Sequence, residues 1–214
     1  TESKQDPAYW LMRAPNRNVT LLDSSNIASR NSVLLRNEPS MVDWSIWPAS
    51  LNINAIRNKI ETISKRPSKP LYQSPDKLIS NDEIDGWINN LNLDQIKASN
   101  DQQFGLVVMR SALRRFPTQQ RAFDAQGGVD IDRLQESALF PGTPVAILHQ
   151  SRDKQWLFVQ AENYAAWINS KAIAIATRQQ VIDYVLRQPR LYISGSQVRT
   201  VFNPMVKELS ELTL

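Results

Sequence analysis

The 214 residues carry 25 basic and 21 acidic side chains, a net charge of +4 and a pI of about 9.4, with 42% apolar and 21% charged residues. That balance is ordinary for a folded chain and excludes wholesale disorder, while a basic excess this thinly spread excludes a dedicated nucleic-acid binder. Cysteine is absent and His149 is the one histidine, so disulfides, thiolate or histidine metal sites and a cysteine nucleophile are excluded within this chain, and no cofactor is expected.

Seven of the twelve prolines (Pro7, Pro15, Pro39, Pro48, Pro67, Pro70, Pro75) fall in the first 75 residues, which predicts short helices joined by stiff, extended connections. Up to Arg36 the patterning is weak, with Ile27, Val33 and Leu34 fitting a short helix. From Ser50, Ile53, Ile56, Ile60 and Ile63 recur at helical spacing until Pro67, predicting an amphipathic helix of about 14 residues. A second helix is expected from Asn81 through Asp94, capped by Asn81 or Asp82, with Ile84, Trp87, Ile88 and Leu91 on one face. Asp82, Glu83 and Asp85 favour its start through the helix dipole. No bilayer-spanning run of about 18 apolar residues occurs.

Four of the six glycines (Gly105, Gly127, Gly128, Gly142) lie between 104 and 142, and the period shifts there to short β-rich runs. The shift puts a boundary near Asn100 to Gln103. The runs FGLVVMRSALRRFP, GTPVAILHQS, WLFVQAE and AAWINSKAIAIA, with a polar turn at Ser151–Gln155, predict a small antiparallel barrel. Pro117 to Pro141 reads as a long loop after the first strand. TRQQVIDYVLRQP predicts a helix capped by Thr177 and ended before Pro189. LYISGSQVRTVF then reads as a strand pair turning at Ser194-Gly195.

The barrel segment holds, in order, an Arg-rich first strand ending LRRFPT, the hairpin PGTPVAILHQSRDKQW and a closing tryptophan strand. In this it resembles the first bacterial SH3 domain of NlpC/P60 cell-wall cysteine peptidases. DWSIWP and the isoleucine helix resemble that family's N-terminal stabilising region. The resemblance implies an α+β fold: a mainly helical region over 1–102, an SH3-like antiparallel barrel over 103–176, and a linker helix with the start of a second barrel over 177–214. Family members often carry glycine before the closing tryptophan, where this chain has Ala166; a positive φ there would strain alanine. The family continues into a papain-like catalytic domain. A fragment, an engineered piece and a shorter natural product all fit a chain without it.

Several residues are candidates for a ligand or interdomain groove. Arg110, Ala112 and Arg114 are expected on one face of the first strand, where guanidinium groups can hold carboxylates of a stem peptide or form salt bridges. The turn of Arg114, Arg115, Phe116, Pro117 and Thr118 would face the catalytic groove if the resemblance holds. If Leu157, Val159 and Ala161 fill the barrel, Trp156 and Phe158 face outward, to stack on sugar rings or to pack a neighbouring domain. Tyr164 and Trp167 stand near a turn and are further groove candidates. His149 fits a hydrogen-bonded structural role or a ligand contact. Trp10, Trp44, Trp47 and Trp87 read as core or interface anchors.

The expected function is the non-catalytic targeting or scaffolding part of a peptidoglycan endopeptidase; a stand-alone wall- or protein-binding module is the alternative. The expected partners are peptidoglycan stem peptides or the missing catalytic domain, without nucleic acid. The resemblance also implies a periplasmic or cell-envelope location after removal of an export signal or lipoprotein anchor ahead of Thr1.

Overall fold

A computed structural model describes residues 4, 6–44, 46–48, 50–73, 76–97, 103–128, 130–189, 197–201 and 209–213. The chain divides into two compact units, Thr1–Met41 and Val42–Leu214. The first holds α1 (Pro7–Leu11) and α2 (Ser24–Asn37). The Asp6 and Asp23 carboxylates accept hydrogen bonds from the Ala8 and Asn26 amides at the two helix starts. Neither helix has a buried residue, and Trp10 is 59% exposed. Trp10 therefore anchors no core in its own unit, which corrects the core half of the expectation for it.

In the second unit α3 (Ile53–Ile63) starts at the Asn52 side chain and buries Ile56 and Ile60 completely. Burial of that kind is worth about 2 to 3 kcal/mol per side chain. A two-residue hairpin, β1 (Tyr72–Gln73) with β2 (Lys77–Leu78), leads to α4 (Asn81–Asn90). The cap of α4 is Ser80, not Asn81 or Asp82: its hydroxyl accepts from the Glu83 amide while Glu83 accepts from the Ser80 amide. That reciprocal pair satisfies two helix-end amides, which a cap one residue later would not.

The barrel is a seven-stranded antiparallel sheet in the order β5-β4-β8-β7-β6-β3-β9. Its strands are β3 (Gln103–Val107), β4 (Ser111–Arg114), β5 (Gln135–Leu139), β6 (Pro144–Gln150), β7 (Trp156–Gln160), β8 (Ala165–Asn169) and β9 (Ile173–Ala176). Two expectations are corrected here. The first strand breaks after Val107, where its amide pairs with the Thr143 carbonyl and Val108 turns to pair with Ala172. The span from Pro117 to Pro141 is not wholly loop, since β5 pairs with β4 from Ser111↔Leu139 to Arg114↔Gln135. Gly105 sits within β3 because an added Cβ would lie 2.8 Å from the Ala174 carbonyl oxygen of β9.

Two hydrophobic clusters share the sheet. Leu157, Val159, Val145, Ile147, Ala166 and Ile168 fill the barrel interior. Trp156, Phe158, Leu148 and Trp167, on the opposite face, pack with Ile56, Ile60, Ile84 and Trp87 of α3 and α4. Strand alternation thus serves both faces, and the helices complete a second core outside the barrel. Ala166 pairs with Val159 inside β8, and positive φ at non-glycine residues is confined, among the described residues, to Asn92 and Lys154. Alanine is unstrained at that position.

The helix α5 (Arg178–Leu186) starts at Thr177 with a capping box through Gln180, as expected. Beyond it β10 (Gln197–Val201) pairs antiparallel with β11 (Leu209–Thr213). The expected turn at Ser194-Gly195 and the residues of LYIS lie outside the described residues, as does most of the expected boundary at Asn100 to Gln103.

Candidate functional site

The seven candidate residues do not converge on one groove. Arg114 is 4% exposed and faces inward: Nη1 donates to Asp132 Oδ2 at 2.9 Å and Nη2 to the Gln120 carbonyl at 2.5 Å. Asp132 Oδ1 in turn accepts from the Ala122 and Leu134 amides. Arg114 is therefore committed to an internal carboxylate that pins the 120–134 segment, and it holds no external one. Arg110 lies in the turn before β4, exposed, with its guanidinium 5.4 Å from the Phe140 ring centre. It does not share a strand face with Arg114, because the strand is interrupted.

Trp156 and Trp167 are 3% and 0% exposed, so neither reaches a ligand at the surface. Trp167 lies edge-on to Phe158 at 5.3 Å, and its Nε1 donates to Ser64 Oγ at 3.1 Å. Ser64 Oγ donates to the Arg115 carbonyl at 2.7 Å, tying the end of α3 to the turn after β4. Thr118 accepts from the Gln120 amide at 3.1 Å, stabilising the same turn. The Arg115 guanidinium donates to the Lys65 carbonyl. Tyr164 is half-buried and donates to Glu136 Oε2 at 2.7 Å; burial first, and then that carboxylate, push its phenol up to about 12. Arg115, Glu136 and Tyr164 are thus the candidate-bearing part of an accessible face.

His149 has the structural role. Its Nε2 stands 3.1 and 3.0 Å from the Leu91 and Asn92 carbonyls at the end of α4, and its ring lies 6.2 Å from Trp167. A carbonyl accepts only, so Nε2 carries the proton. Burial lowers its pKa below the ordinary 6.5, outweighing the carbonyls and Asp94, which favour the charged ring.

One concave feature of this unit was not read from the sequence. It is a cleft of about 610 Å³ between the Pro141–Pro144 turn, Trp44, Glu162 and the end of α5 at Tyr184, Val185, Arg187 and Pro189. Gly142 closes its floor with φ of 87°, and its amide donates to the Val107 carbonyl at 2.8 Å. A Cβ there would lie 2.6 Å from the Tyr184 hydroxyl, which could swing aside, so it is the positive φ that favours glycine. The Val42 amide donates to the Glu162 carbonyl at 2.7 Å and holds the Trp44 segment beside the β7–β8 turn. The PG-x-P pattern and Trp44 were the available signals, but they lie about a hundred residues apart in sequence.

No group of three or more metal-binding side chains occurs among the described residues, and none of their helices is long and apolar enough to cross a membrane. The comparisons bear on this seven-stranded antiparallel sheet over 103–176. Residues 120–169 match the family model described as SH3 domain (SH3b1 type). The barrel is similar to SH3b1-type domains. Among solved structures, an NlpC/P60 endopeptidase from Photobacterium damselae subsp. piscicida matches with a TM-score of 0.65 and 19% identity, over 90% of this chain and 45% of that one. The chain thus spans under half the length of that protein, and the likeness is one of fold. No curated protein matches the sequence. The SH3b1-like barrel and its helical N-terminal side bear out the α+β fold expected from the motifs.

Proposed function

We propose that this chain is the non-catalytic targeting and scaffolding part of a peptidoglycan endopeptidase of the NlpC/P60 type, working outside the cytoplasmic membrane. The observation that carries the reading is the fold likeness to such an endopeptidase over 90% of this chain, helices included, joined to an SH3b1-type match within the barrel. The 214 residues hold no cysteine, and so no thiolate nucleophile, while His149 is engaged with backbone carbonyls. What the geometry supports is recognition: a two-core body with half-buried Arg115 and Tyr164 on one face and an aromatic-lined cleft at the barrel rim. The domain pattern 1–102, 103–176 and 177–214 belongs to this proposal.

Retention on purified peptidoglycan at low salt is the expected result, weakening moderately as salt rises because the net charge is only +4. No retention at low salt counts against wall targeting. Turnover of a γ-glutamyl stem peptide by the pure chain would overturn the non-catalytic part of the reading.

A further inference from the structure

We propose that α2 of the N-terminal unit is a self-association surface, packing antiparallel against α2 of a second copy of this chain. The proposal stands apart from the wall-binding reading and does not depend on it. No residue among the 14 of α2 is buried, and Ile27, Val33 and Leu34 are 46%, 44% and 48% exposed. A helix of this length is marginal in water unless its apolar face is covered. Its own unit supplies no such cover, since none of the described residues of Thr1–Met41 is buried. Along the helix runs a groove of about 350 Å³ lined by Ser29, Arg30, Val33, Leu34, Asn37 and Glu38.

Charge complementarity names the occupant. At 3.6 residues per turn Ile27, Arg30, Leu34 and Glu38 fall on one stripe, and Arg36 falls on the opposite side. Arg30 and Glu38 each stand four residues from Leu34, about 6 Å of helix to either side of it. A two-fold axis at Leu34 therefore sets Leu34 against its counterpart and brings each Arg30 level with the other copy's Glu38. The result is an apolar centre flanked by two identical ion pairs, the self-complementary pattern of an isologous dimer. A parallel pairing would set Arg30 beside Arg30 and is disfavoured. Both charged groups have bonding capacity to spare: among the described residues nothing pairs with the Arg30 guanidinium, and Glu38 accepts the Ser40 hydroxyl and amide through Oε1 alone. A lipid surface fits less well, because the stripe carries one charge of each sign in place of the lysine- and arginine-rich polar face of interfacial helices.

Sedimentation equilibrium of the whole chain at low salt, from about 1 μM to about 1 mM, tests this. One helix per copy buries a small interface, so a reversible monomer–dimer equilibrium is expected, with a dissociation constant on the order of 10–100 μM. Arg30→Glu and Glu38→Arg each set like charges level and should weaken the dimer at least about tenfold; the two together exchange the charges and should restore it to within about threefold. The chain has no cysteine, so Leu34→Cys places a single thiol on the two-fold axis and should oxidise to a disulfide-linked dimer, while Arg36→Cys on the opposite side should not. If a charge swap melts α2, seen by circular dichroism, the cysteine pair still decides. A chain that stays monomeric throughout, a dimer that both single swaps leave unchanged, failure of the double swap to restore it, or equal cross-linking at both positions overturns the proposal. So does a monomer that binds anionic phosphatidylglycerol vesicles and is released by Leu34→Lys, which would assign the face to lipid.

Discussion

Arg114 shows how one side chain can look like a binding group and act as an internal tie. Its side chain and that of Asp132 are 5% and 7% exposed, so each charge has lost its water and depends on the other. Arg114→Ala should cost about 3 to 5 kcal/mol in urea unfolding, because Asp132 is left charged and buried. Replacing both together by Met and Leu should cost clearly less than either single loss, and a double-mutant cycle reads that coupling. His149 makes a pH prediction. Its folded pKa lies below 6.5, so below that value the unfolded chain takes up a proton that the folded chain resists. The stability linked to this group is therefore present above 6.5 and is lost as the pH falls from there toward the folded value. The urea midpoint should drop between about pH 7 and about pH 5, and His149→Gln should flatten that drop. The structural role of His149 was within reach of the sequence, since it alternates with apolar strand residues. The inward direction of Arg114 was not, because its partner lies 18 residues away.

At the scale of elements, local chemistry and long-range contact divide the work. Ser80 closes a capping box with Glu83, whose carboxylate also accepts from Gln73 and Gln120, so the start of α4 is tied to β1 and to the 120 segment. Ser80→Ala should destabilise by about 1 kcal/mol, read as a shifted unfolding midpoint with an unchanged slope. Gly105→Ala should be more damaging than an alanine elsewhere in a strand. Its Cβ would meet Ile173 Cγ2 at 2.6 Å and the Ala174 carbonyl oxygen at 2.8 Å, and a backbone oxygen cannot rotate away. Faster amide exchange along β9, with β6 little affected, is the expected signature. The isoleucine spacing made α3 legible, and Thr177 made α5 legible, since both signals are local. The break at Val108–Arg110 was not legible, because Val108 is turned by a hydrogen bond to the Ala172 carbonyl, a contact set by the pairing of β3 with β9.

At the scale of the molecule, the two hydrophobic clusters both belong to Val42–Leu214, while none of the described residues in Thr1–Met41 is buried. Removing 1–41 should accordingly leave cooperative unfolding of the remainder within about 0.5 kcal/mol of the whole chain; a larger loss would show that the segment contributes to the core. The sequence by itself determined the chemistry that is missing and the elements that repeat: no thiolate nucleophile, an isoleucine-faced helix, and β runs in SH3 order. Those are properties of composition and local period, which need no fold to be read. Only the tertiary structure decided that Trp156, Phe158 and Trp167 lie beneath α3 and α4, and that Arg114 points inward. It alone assembled Trp44, the Pro141–Pro144 turn, Glu162 and the end of α5 into one cleft. The physical reason is common to all three: a period of two assigns side chains to faces, but what covers each face is set by contacts between residues far apart in the chain.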